Sequence, residues 1–308
     1  MPGALTEEQL DHYRRRGYAI VREAIDPGSL GRLTDAADAF ADQARTLTGS
    51  TAVLELDDVA GAAVGHGLIR RIKSPHFHHK AFARSLAQPA LLDIVQQLLG
   101  PDIRWHHTKL NAKQPKGSGH VEWHTDWGYY PHTNADLLEV AIAIDPTTEA
   151  NGCLWVLPGS HLGPALDHTE DGRFVGAVPP GSFDRSQIEA LELEPGDISL
   201  HHVRLLHGSG PNRTDQQRRL LLQGYAAADA WPLMAQHQPN DWPEWDRRIL
   251  RGRPTTEARL DQSPVKVPLP ATAALGLFET QQQLSVSHFD GADRGDQGEL
   301  GALVDDVG

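Results

Sequence analysis

Two side chains that could bind one metal ion stand two positions apart in the segment VEWHTDWGYYPH, residues 121–132. In a β-strand, residues i and i+2 point to the same face, so His124 and Asp126 would project together while Thr125 turns away. Imidazole and carboxylate groups together can bind divalent iron. The pair alone is weak evidence, because a chain with 17 histidines and 41 acidic residues should contain about two His-x-Asp/Glu pairs by chance. Four such pairs occur, so this one needs further ligands nearby in the fold.

A third ligand and a cation are available downstream, in the segment LLHGSGPNRTDQQRRLLLQGY, residues 205–225. An apolar-rich run ends at His207, the GSGPN stretch carries turn signals, and a second apolar run begins at Arg218. This pattern predicts a hairpin whose neighbouring strands turn His207 and Arg218 toward one cavity. Two histidines and one carboxylate leave metal positions open, as in the facial triad of non-heme Fe(II) oxygenases. A guanidinium beside such a site suits a dicarboxylate cosubstrate, because it binds carboxylates through two parallel hydrogen bonds.

The elements that must position these residues differ between the two parts of the chain. Thr6-x-x-Gln9 forms a capping box that predicts a helix through about Arg16, where Gly17 ends it. Helical spacing recurs over residues 30–47 and 89–100, and YAIV forms a short strand after the first helix. From about residue 103, short β-like runs separated by Gly, Pro and Asn predict an all-β barrel or sandwich.

These patterns predict a single domain over residues 1–284. It would consist of N-terminal helices (5–100), a β core (101–235) and a C-terminal segment that lies over the surface (236–284). Within the last segment, the run SPVKVPLP is too rich in proline for a central strand. Residues 285–308 contain six acidic residues, five glycines and one arginine, which is typical of a mobile acidic tail.

Charge and cysteine content limit the partners and the compartment. The 308 residues carry a formal net charge of -13, which disfavours nucleic acid and anionic membranes as partners because phosphates would be repelled. Cys153 is the one cysteine, so no internal disulfide can form and a reducing compartment is expected. The first residues lack the apolar core of a secretory signal, and no run approaches the roughly 18 apolar residues of a membrane span. We therefore expect a cytoplasmic protein, and the sequence does not indicate its oligomeric state.

Three motifs in a fixed order carry a resemblance to a known family. WHTDWGYYP, NGCLWVLPGSHLG and HGSGPNRTDQQRR resemble the motifs of the phytanoyl-CoA hydroxylase-like Fe(II)/2-oxoglutarate dioxygenases, over roughly residues 5–235. The resemblance implies a double-stranded β-helix (jelly-roll, cupin-like) core with flanking helices. It also implies that His124, Asp126 and His207 are the iron ligands. Arg218 falls on the arginine that binds the C5 carboxylate of 2-oxoglutarate, and Ser209 falls on a hydroxyl that assists it.

The resemblance implies further residues for the cosubstrate and the substrate. Lys109 lies on the strand that lines the cosubstrate pocket in relatives, and Arg71 lies near a lysine that contacts the cosubstrate in some of them. Ala141 replaces a bulky aromatic residue of some relatives, which would enlarge the pocket. The aromatic residues after the ligand pair either form a substrate wall or close the end of the barrel, and these are Trp127, Tyr129 and Tyr130.

The implied activity is the hydroxylation of an unactivated C–H bond in a small-molecule or carrier-bound substrate. Fe(II), 2-oxoglutarate and O2 would be required, and 2-oxoglutarate and O2 would be converted to succinate and CO2. Desaturation, epoxidation and ring formation use the same iron site and stay open. The carboxylate of Asp126 disfavours halogenation, because halogenase relatives leave that position vacant for halide.

Two other classes of protein remain as alternatives. A zinc-dependent hydrolase or lyase could use the same three ligands to activate water, although it would have no need of Arg218. A non-catalytic jelly-roll binding protein would have no need of an intact triad. The basic residues before the ligand strand either receive an anionic group of the substrate or form a solvated loop, and these are Lys109, Lys113 and Lys116.

Overall fold

The first helix begins and ends where local sequence signals place it, and the second helix, Pro27–Ala44, begins and ends three residues before the predicted 30–47. In the computed structural model, which describes residues 3–57, 67–116, 119–234, 237–266 and 277–289, the first helix ends at Gly17 with a φ of 83°. The Thr6 hydroxyl accepts from the Gln9 amide and the Gln9 side chain accepts from the Thr6 amide, so the predicted capping box is confirmed. The described helices are α1 (Glu7–Arg16), α2 (Pro27–Ala44), α3 (Lys80–Leu86), α4 (Pro89–Leu99), α5 (Trp242–Asp246) and α6 (Leu277–Gln281). Of these, none is both long enough and apolar enough to cross a bilayer.

The strands form two main antiparallel sheets and one small hairpin. They are β1 (Tyr18–Val21), β2 (Leu54–Leu56), β3 (Ile69–Lys73), β4 (Ile103–Lys113), β5 (Val121–His124), β6 (Leu137–Ala143), β7 (Leu154–Val156), β8 (Thr169–Glu170), β9 (Arg173–Phe174), β10 (Glu189–Leu191), β11 (Ile198–His202), β12 (His207–Ser209), β13 (Arg218–Ala227) and β14 (Ile249–Arg251). The larger sheet has the order β1-β11-β6-β13-β4-β3-β2, with β14 also paired to β4. The smaller sheet has the order β10-β7-β12-β5, and β8 pairs with β9. The predicted jelly-roll core with flanking helices is confirmed.

Strand β13 shows how the larger sheet separates the hydrophobic core from the interior of the barrel. Alternate residues of a strand face opposite sides. Leu221 and Tyr225 face outward and pack in one large cluster with Phe82 and other buried residues of the helices. Leu220 and Leu222 face inward, in a separate small cluster. The helices therefore cover the outer face of this sheet, and its inner face is left to line a site.

The chain crosses between the two sheets twice in the region where the sequence predicts one hairpin. β11 belongs to the larger sheet, β12 to the smaller sheet and β13 to the larger sheet again. The prediction that His207 and Arg218 lie on neighbouring hairpin strands is therefore wrong. The turn after His202 ends the first strand early, and β12 pairs instead with β5 and β7. As a result, His207 and Arg218 belong to opposite sheets.

The C-terminal segment is more closely packed than the sequence predicts. β14 pairs with β4, and the neighbouring Trp245 is buried with the Arg104 guanidinium 3.8 Å from its ring centroid. The predicted acidic tail also begins too early. Ser287 donates a hydrogen bond to Glu122, and Phe289 is only 6% exposed. Trp245 and β14 therefore pack against the rest of the protein rather than lie over its surface, and residues 287–289 are packed; residues 236, 267–276 and 290–308 lie outside the described part.

Replacing Phe289 with alanine is expected to lower the free energy of unfolding by about 3 kcal/mol, because a buried aromatic side chain would leave a cavity. The Phe289 ring stacks on Trp155, with centroids 5.9 Å apart, and on His120, with centroids 5.0 Å apart. Val286 is 52% exposed in the same segment, so Val286→Ala should change the free energy by less than about 0.5 kcal/mol. Urea denaturation of both variants checks this; equal, small effects would restore the prediction of a mobile tail.

Acidification is expected to destabilise the fold through buried neutral histidines. Burial lowers the pKa of His132 and of His168 to about 4. The unfolded chain therefore binds more protons than the folded chain between pH values of about 4 and 6.5. The free energy of unfolding consequently decreases as the pH is lowered through that range. The loss should be about 1 kcal/mol for each histidine by pH 5.5. Urea denaturation at pH 7.5 and 5.5 measures the effect, and His132→Asn should reduce it. A pH dependence that is unchanged in this variant would contradict the assignment.

Candidate active site

The candidate metal ligands come from two strands of the smaller sheet and the turn that follows one of them. Strand β5 ends at His124, and Asp126 opens a short 3-10 helix, Asp126–Gly128. Thr125 between them is still extended (φ -109°, ψ 141°), so the alternation expected of a strand continues one residue past its end. His207 on β12 lies directly opposite His124 in the antiparallel register. Ligand atoms of the three buried side chains all lie within 4.8 Å of one another.

Backbone carbonyls fix the orientation of both imidazole rings. His124 Nδ1 lies 2.7 Å from the Glu122 carbonyl oxygen, and His207 Nδ1 lies 2.9 Å from that of Leu205. A ring nitrogen must carry the proton to donate to a carbonyl, so Nε2 of each ring keeps its lone pair for a metal ion. Burial lowers the pKa of His124 and places that of His207 well below its ordinary value. Both rings are therefore in the neutral form that metal binding requires.

Asp126 supplies a carboxylate that fits a metal ion. Burial raises its pKa, but the Lys109 ammonium and His201 outweigh burial and hold the pKa well below the ordinary value. The Oδ2 atom is buried and has no hydrogen-bond partner among the described residues; His201 Nε2 lies 3.5 Å away. A buried anionic oxygen without a partner is costly. A divalent cation held between Asp126 and the two histidines would satisfy it.

Further histidines support this arrangement without joining the ligand set. The Thr125 amide donates to His168 Nε2 at 2.9 Å, and His168 Nδ1 is anchored on the Leu166 carbonyl at 3.1 Å. His168 therefore holds the backbone between two candidate ligands. In the sequence this histidine stands out only as the first residue of His168-x-Glu170, one of the four His-x-Asp/Glu pairs. His201 on β11 contacts the His207 ring, with centroids 4.7 Å apart.

Arg218 is the first residue of β13 and lies opposite Lys113 of β4. Its guanidinium is 3% exposed. Nη2 donates to the Gly152 carbonyl at 2.6 Å and to Ser209 Oγ at 3.3 Å, while Nε has no partner among the described residues. Burial lowers the pKa of Arg218 to about 10, so the group remains charged at neutral pH. A buried cation in contact with only neutral oxygens is suited to an incoming carboxylate.

Arg219 shows why the two adjacent arginines differ. Strand alternation turns it to the opposite face of β13. There its guanidinium binds both carboxylate oxygens of Asp145, at 2.8 and 2.9 Å, and a third contact reaches Asp38. Its charge is therefore compensated, and only Arg218 faces the interior of the barrel.

The two sheets enclose a cavity with about 730 Å³ of empty space, its mouth included. The seven polar residues that the sequence predicts for metal and cosubstrate all line it: Arg71, Lys109, His124, Asp126, His207, Ser209 and Arg218. The sequence-based prediction missed other lining residues, namely Asn111, Leu277 and Phe278. Lys113 is not in a solvated loop but is buried, and it donates to the backbone carbonyls of Ser209 and Gly210.

The predicted substrate-wall residues do not line this cavity. Trp127 and Tyr130 belong to a hydrophobic cluster that closes one end of the barrel, where Trp127 Nε1 donates to the Pro264 carbonyl at 2.8 Å. Ala141 is fully buried in a cluster with Leu220 and Leu222. The 3-10 helix that begins at Asp126 breaks the strand alternation and redirects the aromatic side chains. Of these aromatic residues, Tyr129 lies nearest to the candidate metal ligands, with its ring centroid 5.6 Å from that of His124.

Comparison with known proteins gives a family and a set of relatives. The sequence model of the phytanoyl-CoA dioxygenase (PhyH) family matches residues 13–220. A probable alpha-ketoglutarate-dependent hypophosphite dioxygenase from Stutzerimonas stutzeri is 39% identical over 229 residues, which cover 72% of this chain and 79% of that protein. The peroxisomal phytanoyl-CoA dioxygenase of Homo sapiens is 28% identical over 236 residues, or 73% of this chain and 69% of that protein.

Solved structures agree with the fold. The structure of EctD from S. alaskensis with bound Fe has a TM-score of 0.62 at 22% identity and covers 84% of this chain and 88% of its own. SnoN in complex with Fe3+, alpha ketoglutarate and nogalamycin RO has a TM-score of 0.58 at 22% identity, covering 85% and 95%. At these identities the likeness shows the jelly-roll fold.

The fold, the His-Asp-His cluster and the relatives together define an Fe(II)- and 2-oxoglutarate-dependent dioxygenase of a family that acts on small molecules. Neither a zinc hydrolase nor a non-catalytic binding protein finds support among the relatives reported above. Within this class, the chain belongs to the phytanoyl-CoA dioxygenase family. The family predicted from the three sequence motifs is therefore confirmed, and so are Fe(II), 2-oxoglutarate and O2 as its cofactors and cosubstrates.

Proposed function

We propose that His124, Asp126 and His207 bind Fe(II), that Arg218 and Ser209 bind the C5 carboxylate of 2-oxoglutarate, and that the enzyme hydroxylates a small molecule. One observation carries this assignment. The buried three-ligand cluster shares a cavity with a buried guanidinium that has no carboxylate partner among the described residues. A zinc hydrolase would need only the first of these two features.

The residues of the chain would position the reactants and exclude water. When bound, iron and 2-oxoglutarate together supply the activation of O2 that the reaction requires. His124 and His207 present Nε2 to the metal site because backbone carbonyls accept hydrogen bonds from Nδ1 of both rings. The Ser209 hydroxyl donates to the Gly152 carbonyl at 2.9 Å, which leaves the Ser209 oxygen facing Arg218. Lys109 would stabilise the ionised Asp126 and the cosubstrate beside it. Fixed groups of this kind lower the cost of bringing the reactants together.

A second candidate reaction is the oxidation of a P–H bond in a small oxyanion. The relative named as a probable hypophosphite dioxygenase suggests it, and the cations Arg71 and Lys109 in the cavity favour an anion. The balanced reaction converts H2PO2−, 2-oxoglutarate and O2 into H2PO3−, succinate and CO2. One P–H bond becomes P–OH, while 2-oxoglutarate loses CO2 and supplies the remaining two electrons.

Anaerobic titration of the metal-free protein tests the proposal. Fe(II) is added first and 2-oxoglutarate second, and the expected result is a weak visible metal-to-ligand charge-transfer band. Addition of O2 and candidate substrates should then release succinate. Absence of the band together with tight zinc binding would favour the hydrolase. A protein that binds neither metal would contradict both enzymatic assignments.

A further inference from the structure

The charges around the cavity do not balance once the proposed cofactors are counted. Fe(II) and the 2-oxoglutarate dianion cancel each other, and Arg218 balances Asp126. Lys109, Lys113 and Arg71, which also line the cavity, then remain as positive charges, and Glu279 interacts electrostatically with Arg71. The neighbouring Arg70 is already paired, because its Nη2 lies 2.8 Å from Asp57. The filled site therefore keeps at least two positive charges, which would favour a negatively charged substrate.

Arg71 is a buried cation in the cavity wall, and one edge of its guanidinium is free to bind a ligand. It is 8% exposed, and its Nε donates to Asn111 Oδ1 at 3.0 Å. The Phe278 ring covers one face of the guanidinium, with Cζ 4.7 Å from the ring centroid. Glu55 lies opposite Arg71 in the sheet but forms its ion pair with Lys73, at 3.5 Å. Glu55 and Glu279 act on Arg71 only through longer-range electrostatics. Among the described residues, no carboxylate forms an ion pair with Arg71, and its Nη atoms remain available for a bidentate contact with an oxyanion.

The position of Arg71 separates it from the proposed 2-oxoglutarate anchor. Arg71 is on β3 and Arg218 on β13, with β4 between them, so their backbones lie about 10 Å apart across the sheet. Arg71 also lines the same cavity as the candidate ligands His124 and Asp126. A molecule bound to Arg71 would therefore lie beside the metal and on the flank of the cosubstrate.

Helix α6 restricts the space above Arg71. Leu277 and Phe278 line the cavity. Gln281 anchors the helix beside the smaller sheet. Its Oε1 accepts a hydrogen bond from the Glu122 amide at 3.1 Å, and its Nε2 donates one to the Gly176 carbonyl at 3.0 Å. A bulky carrier-bound acyl group would have to displace this helix, whereas a compact anion would not.

We propose that Arg71, held in place by Asn111 and Phe278, binds an anionic group of the substrate, and that the substrate is a small, compact anion. This inference rests on the proposed function, because the charge count assumes that Fe(II) and 2-oxoglutarate occupy the rest of the cavity. It also assigns Arg71 to substrate binding, whereas the sequence resemblance assigns it to cosubstrate binding.

Calorimetric titration of the anaerobic protein, loaded with Fe(II) and 2-oxoglutarate, tests this with three probes: hypophosphite, methylphosphonate and acetate. At least one probe should bind the wild type at millimolar or lower concentration. The Kd of that probe should rise about 10-fold or more in Arg71→Gln, because a hydrogen bond between charged groups is lost. Arg71→Lys should recover part of the affinity. Arg45→Gln removes the same charge from an exposed arginine that pairs with Asp42 outside this cavity, and it should change the Kd by less than about 2-fold.

The charge-transfer band of each variant separates the two proposals. If the wild type shows no band with Fe(II) and 2-oxoglutarate, the proposed function fails. If the band forms normally in Arg71→Gln, the variant is folded and loaded, and a probe Kd equal to that of the wild type overturns the anion site alone. Binding of none of the probes to the loaded wild type also overturns it. If Arg71→Gln weakens the binding of 2-oxoglutarate as much as it weakens the binding of the probe, Arg71 is a cosubstrate contact and the inference is wrong.

Discussion

The variant His207→Ala is expected to turn over 2-oxoglutarate at least about 1000-fold more slowly than the wild type, because a metal centre contributes several kcal/mol to the reaction it supports. His207 is the one candidate ligand on β12, and His124 and Asp126 cannot by themselves provide three protein ligands. Succinate release and the iron content after desalting are the two measurements. Both should fall together, because the defect is loss of the metal rather than of a later step.

His202→Ala provides a matched control for this prediction. His202 ends β11, five positions before His207, and its ring packs on Tyr13 and His161 rather than on the cavity. Its removal should lower the melting temperature but leave the iron content of the folded protein unchanged. If His207→Ala retained bound iron and substantial succinate release, the ligand assignment would have to be abandoned.

Arg218→Met should raise the KM for 2-oxoglutarate about 100-fold or more, because two charge-assisted hydrogen bonds to the C5 carboxylate are lost and each contributes about 1.5–3 kcal/mol. Methionine keeps much of the apolar volume of the side chain but carries no donor. The charge-transfer titration should show the same weakening, whereas the affinity for Fe(II) alone should change little. Initial rates of succinate release at increasing 2-oxoglutarate concentration give the KM.

The neighbouring arginine gives the control for a charge lost from the same strand. Arg219→Met breaks the partly buried ion pairs with Asp145 and Asp38, so it should lower the free energy of unfolding by about 3 kcal/mol. Its effect on the KM for 2-oxoglutarate should be small, because the side chain lies on the other face of β13. Equal effects of the two variants on KM would show that the anchor is not specific to Arg218.

Local rules were sufficient for much of this protein. The capping box at Thr6 and the left-handed Gly17 define the first helix because both signals depend only on residues a few positions apart. The candidate ligands could also be found locally, since ligand chemistry and a spacing of two are properties of a short segment. For the same reason, alternation along a single strand separated Arg218, which faces the cavity, from Arg219, which does not.

For the aromatic residues after the ligand pair, the sequence leaves a substrate wall and closure of the barrel end as alternatives. Trp127 and Tyr130 follow the ligand pair directly, and continued strand alternation would have brought aromatic residues to the site. The backbone instead turns into a short helix at Asp126 and directs both side chains into the closed end of the barrel. A change of period within three residues leaves no clear signal in the sequence, because a short 3-10 helix has little periodicity of its own.

The sequence by itself indicated the enzyme class through the resemblance of three ordered motifs, and that resemblance also supplied the candidate ligands and the arginine, because motifs of this kind are short and local. Only the tertiary structure decided that His207 and Arg218 face each other from opposite sheets, and that Phe278 near the C-terminus covers Arg71. Alternation fixes which side of a strand a residue occupies. It does not fix which strands become neighbours, since that choice depends on burying the whole chain at once. Whether a buried cation is paired or open to a ligand depends on that same choice, as Arg219 and Arg71 demonstrate.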